Sequence, residues 1–144
     1  MVVIGSDHGG FFLKEEIKRF LEELGESFED VGTFSADSVD YPDIAKTVAK
    51  KVVENKSIGI LICGTGIGMS IAANKVKGIR CALCHDAYTA EFARRHNDAN
   101  IIAFGGRTTG IEIAKQMVKI FLSTPFDGGR HLRRINKITE LEVL

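Results

Sequence analysis

The chain has 144 residues, 44% of them hydrophobic and 26% charged, a composition ordinary for a globular domain of the commonest size. Its 19 basic and 19 acidic residues cancel, which excludes a general attraction to nucleic acid or to an anionic membrane surface and makes any anion binding local. No apolar run reaches the roughly 18 residues a membrane span needs, Met1 leads straight into VVIG without a basic leader, and three cysteines suit free thiols better than a disulfide framework; the expectation is a cytoplasmic protein.

Short β-branched runs alternate with longer segments of helical period, the pattern of a parallel sheet covered by helices on both faces. The expected strands are Val2 to Gly5, Ser27 to Val31, Ile58 to Cys63, Ile79 to Cys84 and Asn100 to Phe104. Between the first two, Leu13, Ile17, Phe20, Leu21 and Leu24 share a helical face, and Gly25 stops the helix. Ile44, Ala45, Val48, Ala49, Val52 and Val53 repeat the period after Tyr41 and Pro42. A helix opens after CGTGIG, a more mixed one runs from about Asp86 to Arg95, and Ala114, Met117, Val118 and Phe121 mark another before Pro125.

A last stripe, Leu132, Ile135, Ile138 and Leu141, predicts a C-terminal helix within 130–144 that packs on something outside the main sheet, such as a second subunit. No internal repeat, low-complexity tract or linker divides the chain. Residues 1–144 read as one domain: a three-layer α/β/α fold with a doubly wound, five-stranded parallel sheet of Rossmann-like type and an extra C-terminal helix.

Ligands of such sheets bind beyond the carboxyl ends of the strands. That rule gathers SDHGG, CGTGIG, HD and GGR, which follow the first, third, fourth and fifth strands, at one edge. In CGTGIG the alternating glycines let successive backbone N–H groups converge, and the following helix adds partial positive charge. The loop suits an anion, yet it is no Walker loop, because Met69 stands five residues after Gly64 and no lysine is near. The dinucleotide fingerprint fails too: its third glycine would fall on Met69 or Ile71. A structural tight turn remains open at this point. Cys63, at a strand end beside a helix start, is either a small buried hydrophobe or a thiolate base facing the nest.

Other constellations carry their own alternatives. Cys81, Cys84 and His85 spell the haem-attachment pattern CxxCH and half a zinc site, but residues three apart on a strand face opposite ways and further ligands are missing. Asp7 and His8 can serve a ligand, and Asp7 can equally cap the first helix. Arg130 and Arg134 lie four apart on one helical face, with His131 and Arg133 pointing elsewhere, and can grip one phosphate or form a solvated basic face. His96, near a helix end, is a cap or an acid.

Taken together, SDHGG, DYPD, ICGTGIGMSIAANK, GIR, HNDAN, FGGR and GGRHLRRI resemble, in order and over nearly the whole chain, the ribose-5-phosphate isomerase B family, which includes galactose- and allose-6-phosphate isomerases. The resemblance implies a metal-free and cofactor-free aldose–ketose isomerase of the pentose phosphate pathway, working through a cis-enediolate on an α/β/α fold that forms dimers or tetramers. It gives Cys63 the role of base. Gly64, Thr65, Gly66, Ile67 and Gly68 become the loop that holds the developing oxyanion, with Thr65 counted among the catalytic residues. His96 becomes the acid that opens the sugar ring. Asp7, His8, Asn97, Arg107, Arg130 and Arg134 become substrate and phosphate contacts, with Tyr41 a nearby wall. One branch of the family uses a loop glutamate as base, and that position is Met69 here, so the thiolate branch is the match.

One geometric expectation follows from the strand order. Cys63 ends its strand whereas His96 and Asn97 precede theirs, so within one chain they belong at opposite edges of the sheet, roughly 16 Å apart at about 3.3 Å per residue. A shared active site, with the histidine supplied by a partner subunit, resolves this. The alternatives to ribose 5-phosphate isomerisation are a hexose 6-phosphate substrate and a noncatalytic phosphosugar-binding module.

Overall fold

A computed structural model describes residues 1–144. Five parallel strands form one sheet in the order β2-β1-β3-β5-β4, where β1 is Val2–Ser6, β2 Phe28–Asp30, β3 Ile58–Cys63, β4 Cys81–Leu83 and β5 Ile101–Gly105. The three inner strands are buried almost throughout, as runs of Val, Ile and Leu must be when both faces are covered. The edge strands β2 and β4 have three residues each, shorter than the runs expected for them, because each has a partner on one side only. Asn100 stays outside β5: its side chain accepts from Arg80 N at 2.8 Å and donates to Gly78 O at 2.9 Å, closing the turn before the strand.

Alternation along the strands sorts the core into two layers. Val2, Ile4, Ile60, Ile62, Ile102 and Phe104 meet helices α1 (Phe11–Glu23), α4 (Ala87–Arg95) and α5 (Ile111–Ser123). Val3, Leu61, Cys63, Ile101 and Ala103 meet α2 (Tyr41–Asn55) and α3 (Ile67–Ala73) on the other face. The result is the three-layer α/β/α arrangement expected. Cys84 joins the first layer and Cys81 packs against the second, so the two thiols of CALC face apart. Burial pushes Cys81 up to about 12 and Cys84 up to about 11, which leaves both as neutral thiols.

The C-terminal segment departs from expectation in detail. Helix α6 (Arg130–Glu140) gives way to a 3-10 turn at Leu141–Val143 instead of continuing to the end. Its inward residues are His131 and Ile135, while Leu132, Ile138 and Leu141 are 50%, 44% and 60% exposed. A spacing of three falls about 60° short of a full turn at each step, so the four stripe residues spread over about half the helix circumference and cannot share one contact face.

Candidate active site

Three loops meet at the carboxyl edge of β1, β3 and β5, where the chain leaves β1 and β3 toward opposite faces of the sheet. After β1, Asp7 caps the short 3-10 turn His8–Gly10, its Oδ1 accepting from Gly10 N at 3.2 Å. The cap therefore serves this turn; Gly10 itself stands before α1. The loops are laced by backbone bonds: Asp7 N to Ile62 O at 3.2 Å, Gly106 N to Cys63 O at 2.7 Å, and Arg107 N to Gly64 O at 3.0 Å. Glycine at position 10 is required by this closeness, since a Cβ there would collide with the Ile62 carbonyl.

Cys63 closes β3 and is 5% exposed. Its Sγ accepts from Gly66 N at 3.1 Å, an N–H placed to stabilise negative charge on sulfur. Thr65 Oγ1 accepts from Ile67 N at 3.3 Å. The amides of Gly64, Thr65, Gly68 and Met69 donate to no protein acceptor, so the loop carries a set of free N–H groups beside the thiol. Tyr41 starts α2, and its ring crowds Gly68, where an added Cβ would lie 2.5 Å from Cε1. The Arg107 guanidinium lies over Gly64, with Nη1 3.2 Å from the place of an added Cβ. His8 Nδ1 accepts from Val39 N at 3.2 Å. Met69 is fully buried in the layer that contains Cys63, leaving the thiol as the titratable side chain at this turn.

Asp7, His8, Tyr41, Cys63, Gly64, Thr65, Gly66, Ile67, Gly68 and Arg107 thus come together. His96, Asn97, Arg130 and Arg134 do not join them. The register pairs Gly59 with Ile101 and Cys63 with Gly105, and His96 precedes Ile101, so His96 belongs to the amino edge of the sheet. It is the C-cap of α4, and Asp127 N donates to Arg95 O at 3.0 Å, which brings the start of α6 beside it. The ring of His96 stacks on His131 at 4.0 Å and 12°, with Phe92 edge-on at 4.7 Å. HND extends this edge: Asn97 O accepts from Arg80 Nε at 2.9 Å.

His131 is the neighbour of His96 here, although its offset from the Arg130/Arg134 face left it pointing elsewhere in the sequence. Burial lowers its pKa, and His96, Arg130 and Arg134 lower it further against the opposing pull of Asp127. Its position next to Arg130 in GGRHLRR carried a signal, since a histidine one residue off an arginine face must point to a different neighbour. His96, Asp127 and His131 each bring one ligand atom within 4.8 Å of the others. The stacking nevertheless sets the two imidazole lone pairs in nearly parallel planes, so one ion cannot lie on both without a ring turning. Asp127 is also held by Arg95 Nε at 3.2 Å. Two arginines and stacked imidazoles make a surface suited to an anion.

A concavity of about 600 Å³ lies at the same edge, between α6 and the β4 side of the sheet, lined by Arg80, Asn97, Ala99, Ile138 and Leu141 among others. No helix is long and apolar enough to cross a membrane.

Known proteins of the same shape give this pair of surfaces a context. The family model described as Ribose/Galactose Isomerase matches residues 2–138. Ribose-5-phosphate isomerase B of Escherichia coli is 47% identical over 142 residues, covering 98% of this chain and 95% of that protein. The structure of Clostridium thermocellum ribose-5-phosphate isomerase B superposes with a TM-score of 0.96 at 51% identity, covering 98% of this chain and 96% of that one. The Mycoplasma genitalium ribose-5-phosphate isomerase B, solved with bound ribulose-5-phosphate, gives 0.94 at 43% identity, covering 98% and 95%. With a thiol at the mouth of a glycine nest, the β2-β1-β3-β5-β4 sheet beneath it and these likenesses over nearly its full length, the chain belongs to the ribose/galactose isomerase family.

Proposed function

We propose that the chain interconverts D-ribose 5-phosphate and D-ribulose 5-phosphate through a cis-enediolate. The observation that carries this reading is Cys63 Sγ beside the loop of unpartnered amides. In the open-chain aldose, the Cys63 thiolate takes the proton from C2. The C2–H electron pair forms the C1–C2 double bond, and the carbonyl pair moves onto the C1 oxygen. Free N–H groups of Gly64, Thr65, Gly68 and Met69 then stabilise that oxygen, where removing one such donor typically costs about 10²–10³ in rate. Return of the proton from Cys63 to C1, with transfer of the C2 hydroxyl proton to the C1 oxygen, yields the ketose and restores the thiolate. Arg107 and His8 bind the substrate from the same edge, Asp7 orients a hydroxyl, and Tyr41 closes one side.

His96, Asn97, Arg130 and Arg134 serve the reaction from a partner subunit: His96 opens the furanose ring, and the arginines hold the phosphate. The working unit is a homodimer or a tetramer, in which the exposed Ile138 of α6, Leu141 of the turn that follows it and the neighbouring concavity meet a second copy. The protein works in the cytoplasm, where Cys63 stays a thiol.

Ribose 5-phosphate incubated in deuterated water with the protein is expected to gain deuterium and yield ribulose 5-phosphate. Tight binding of the sugar without either change would instead make the chain a phosphosugar-binding module. Comparison of kcat/KM on ribose, allose and galactose phosphates tests the sugar; a preference for either hexose 6-phosphate would replace the pentose.

A further inference from the structure

Lys14 is a fully buried side chain in α1, although isolated ammonium groups do not survive in a core. All three of its protons have acceptors: Asp30 Oδ1 at 2.6 Å, Asp30 Oδ2 at 2.7 Å and the Thr33 carbonyl at 2.6 Å. The rings of Phe11 and Phe34 lie 5.6 and 5.2 Å from Nζ. Asp30 also accepts from Gly32 N at 2.9 Å and pairs with Lys18 at 2.9 Å. A buried ion pair is weak evidence for stability, because apolar side chains of the same volume often do as well or better. Its use lies in fixing one geometry, and the geometry it fixes leads to the active site.

Asp30 ends β2, and residues 31–40 run from there to Tyr41. Lys14 ties down the start of this segment at both Asp30 and Thr33. The same start is sewn to β1, with Ser6 N donating to Gly32 O at 2.7 Å and Thr33 N to Ser6 O at 2.6 Å. At the far end, Val39 N donates to His8 Nδ1 at 3.2 Å. A backbone N–H can only donate, so Nδ1 must be the bare nitrogen of the ring. A neutral His8 then carries its proton on Nε2.

We propose that Lys14 is a positioning residue. Through Asp30 and Thr33 it fixes segment 31–40 so that the Val39 amide holds His8 in the Nε2–H form, which presents a donor to an oxygen of the phosphorylated substrate. The inference rests on the isomerase reading for the identity of that substrate, and on hydrogen-bond geometry for the rest.

The test is the tautomer of His8 in the full-length, 15N-labelled protein, read from two-bond 1H–15N correlations in alkaline buffer where imidazoles are neutral. His8→Gln assigns the signals. Wild-type protein is expected to show His8 with Nε2 protonated and Nδ1 bare. Lys14→Met, close in volume, is expected to mix the two tautomers and raise KM for ribose 5-phosphate roughly tenfold, the worth of one hydrogen bond to a charged group, with kcat little changed. Wild-type protein with the proton on Nδ1 overturns the proposal without any variant. So does a folded Lys14→Met that keeps the Nε2–H form and the wild-type KM. If Lys14→Met does not fold, Asp30→Asn replaces it under the same two readouts. An absence of turnover on ribose 5-phosphate with His8 in the expected tautomer would count against the isomerase reading and leave the positioning role standing.

Discussion

Gly66 is held at φ +82°, and a Cβ built on it would lie 2.7 Å from Leu83 Cδ1 and 2.8 Å from Phe104 Cα. Backbone and space both demand glycine there, and the turn they impose aims Gly66 N at Cys63 Sγ. Gly66→Ala is expected to lose about 2–4 kcal/mol, part from left-handed strain and part from forcing Leu83 and Phe104 apart. Gly25 is the control: at φ +74° with nothing within 4 Å, its alanine variant loses only the first part. Urea unfolding of both variants measures the difference, and equal losses would show that packing does not constrain Gly66. Cys63→Ala tests the thiol itself. Removing a proton-transfer group is expected to lower kcat by about 10²–10⁴ with KM nearly unchanged. Initial rates on ribose 5-phosphate decide it, and a variant within tenfold of wild type would move the base elsewhere. The sequence alone held Cys63 between a core hydrophobe and a base, because its chemistry depends on where Gly66 N points, and that is a matter of three-dimensional geometry.

Elements were legible to different depths. The inner strands and α1, α2 and α5 follow from apolar period, because burial on one or both faces leaves a repeating mark on the residues. Strand ends moved where side chains intervened, as Asn100 does by bonding Arg80 and Gly78. Helix α6 was found but its faces were not, since Leu132, Ile135, Ile138 and Leu141 do not lie on one side and the true inward pair includes His131. The 31–40 segment carried no periodic signal, and its start is tied by Lys14 and Asp30, residues sixteen apart whose meeting no local pattern reveals. The pair also predicts an acid response. Burial alone would raise the pKa of Asp30, yet hydrogen bonds from Lys14, Lys18 and Gly32 N outweigh it and hold the carboxyl below its ordinary range. Folded Asp30 therefore binds a proton less readily than the unfolded chain does. Its contribution to stability is complete above about pH 4 and is lost as pH falls below that toward the folded pKa. Urea unfolding between about pH 6 and about pH 3 should show a steeper acid loss in wild type than in Asp30→Asn. Parallel curves would remove Asp30 from the acid response.

For the whole molecule, the decisive fact is that the residues proposed for the reaction lie in two groups at opposite edges of one sheet. Cys63, its amides, His8 and Arg107 occupy the carboxyl edge, while His96, His131, Arg130 and Arg134 gather at the amino edge. A two-fold dimer that brought the carboxyl edge of each subunit to the amino edge of the other would complete two sites at once, and its self-complementary contact would cover the exposed Ile138 and Leu141. Two variants, Cys63→Ala and His96→Ala, then damage different halves. Mixed and reassociated, they form hybrid dimers in which one site carries both lesions and the other carries none. Random pairing makes about half the dimers hybrid, so recovery approaches about one quarter of wild-type activity. Leu141→Glu, which puts a charge on the exposed apolar turn after α6, is expected to weaken association and abolish that recovery when carried by both partners. Sedimentation and the assay are read on the same samples. Hybrid dimers that form but regain no activity would place His96 outside the shared site, and full activity in a dilute monomer would remove the partner from the reaction altogether.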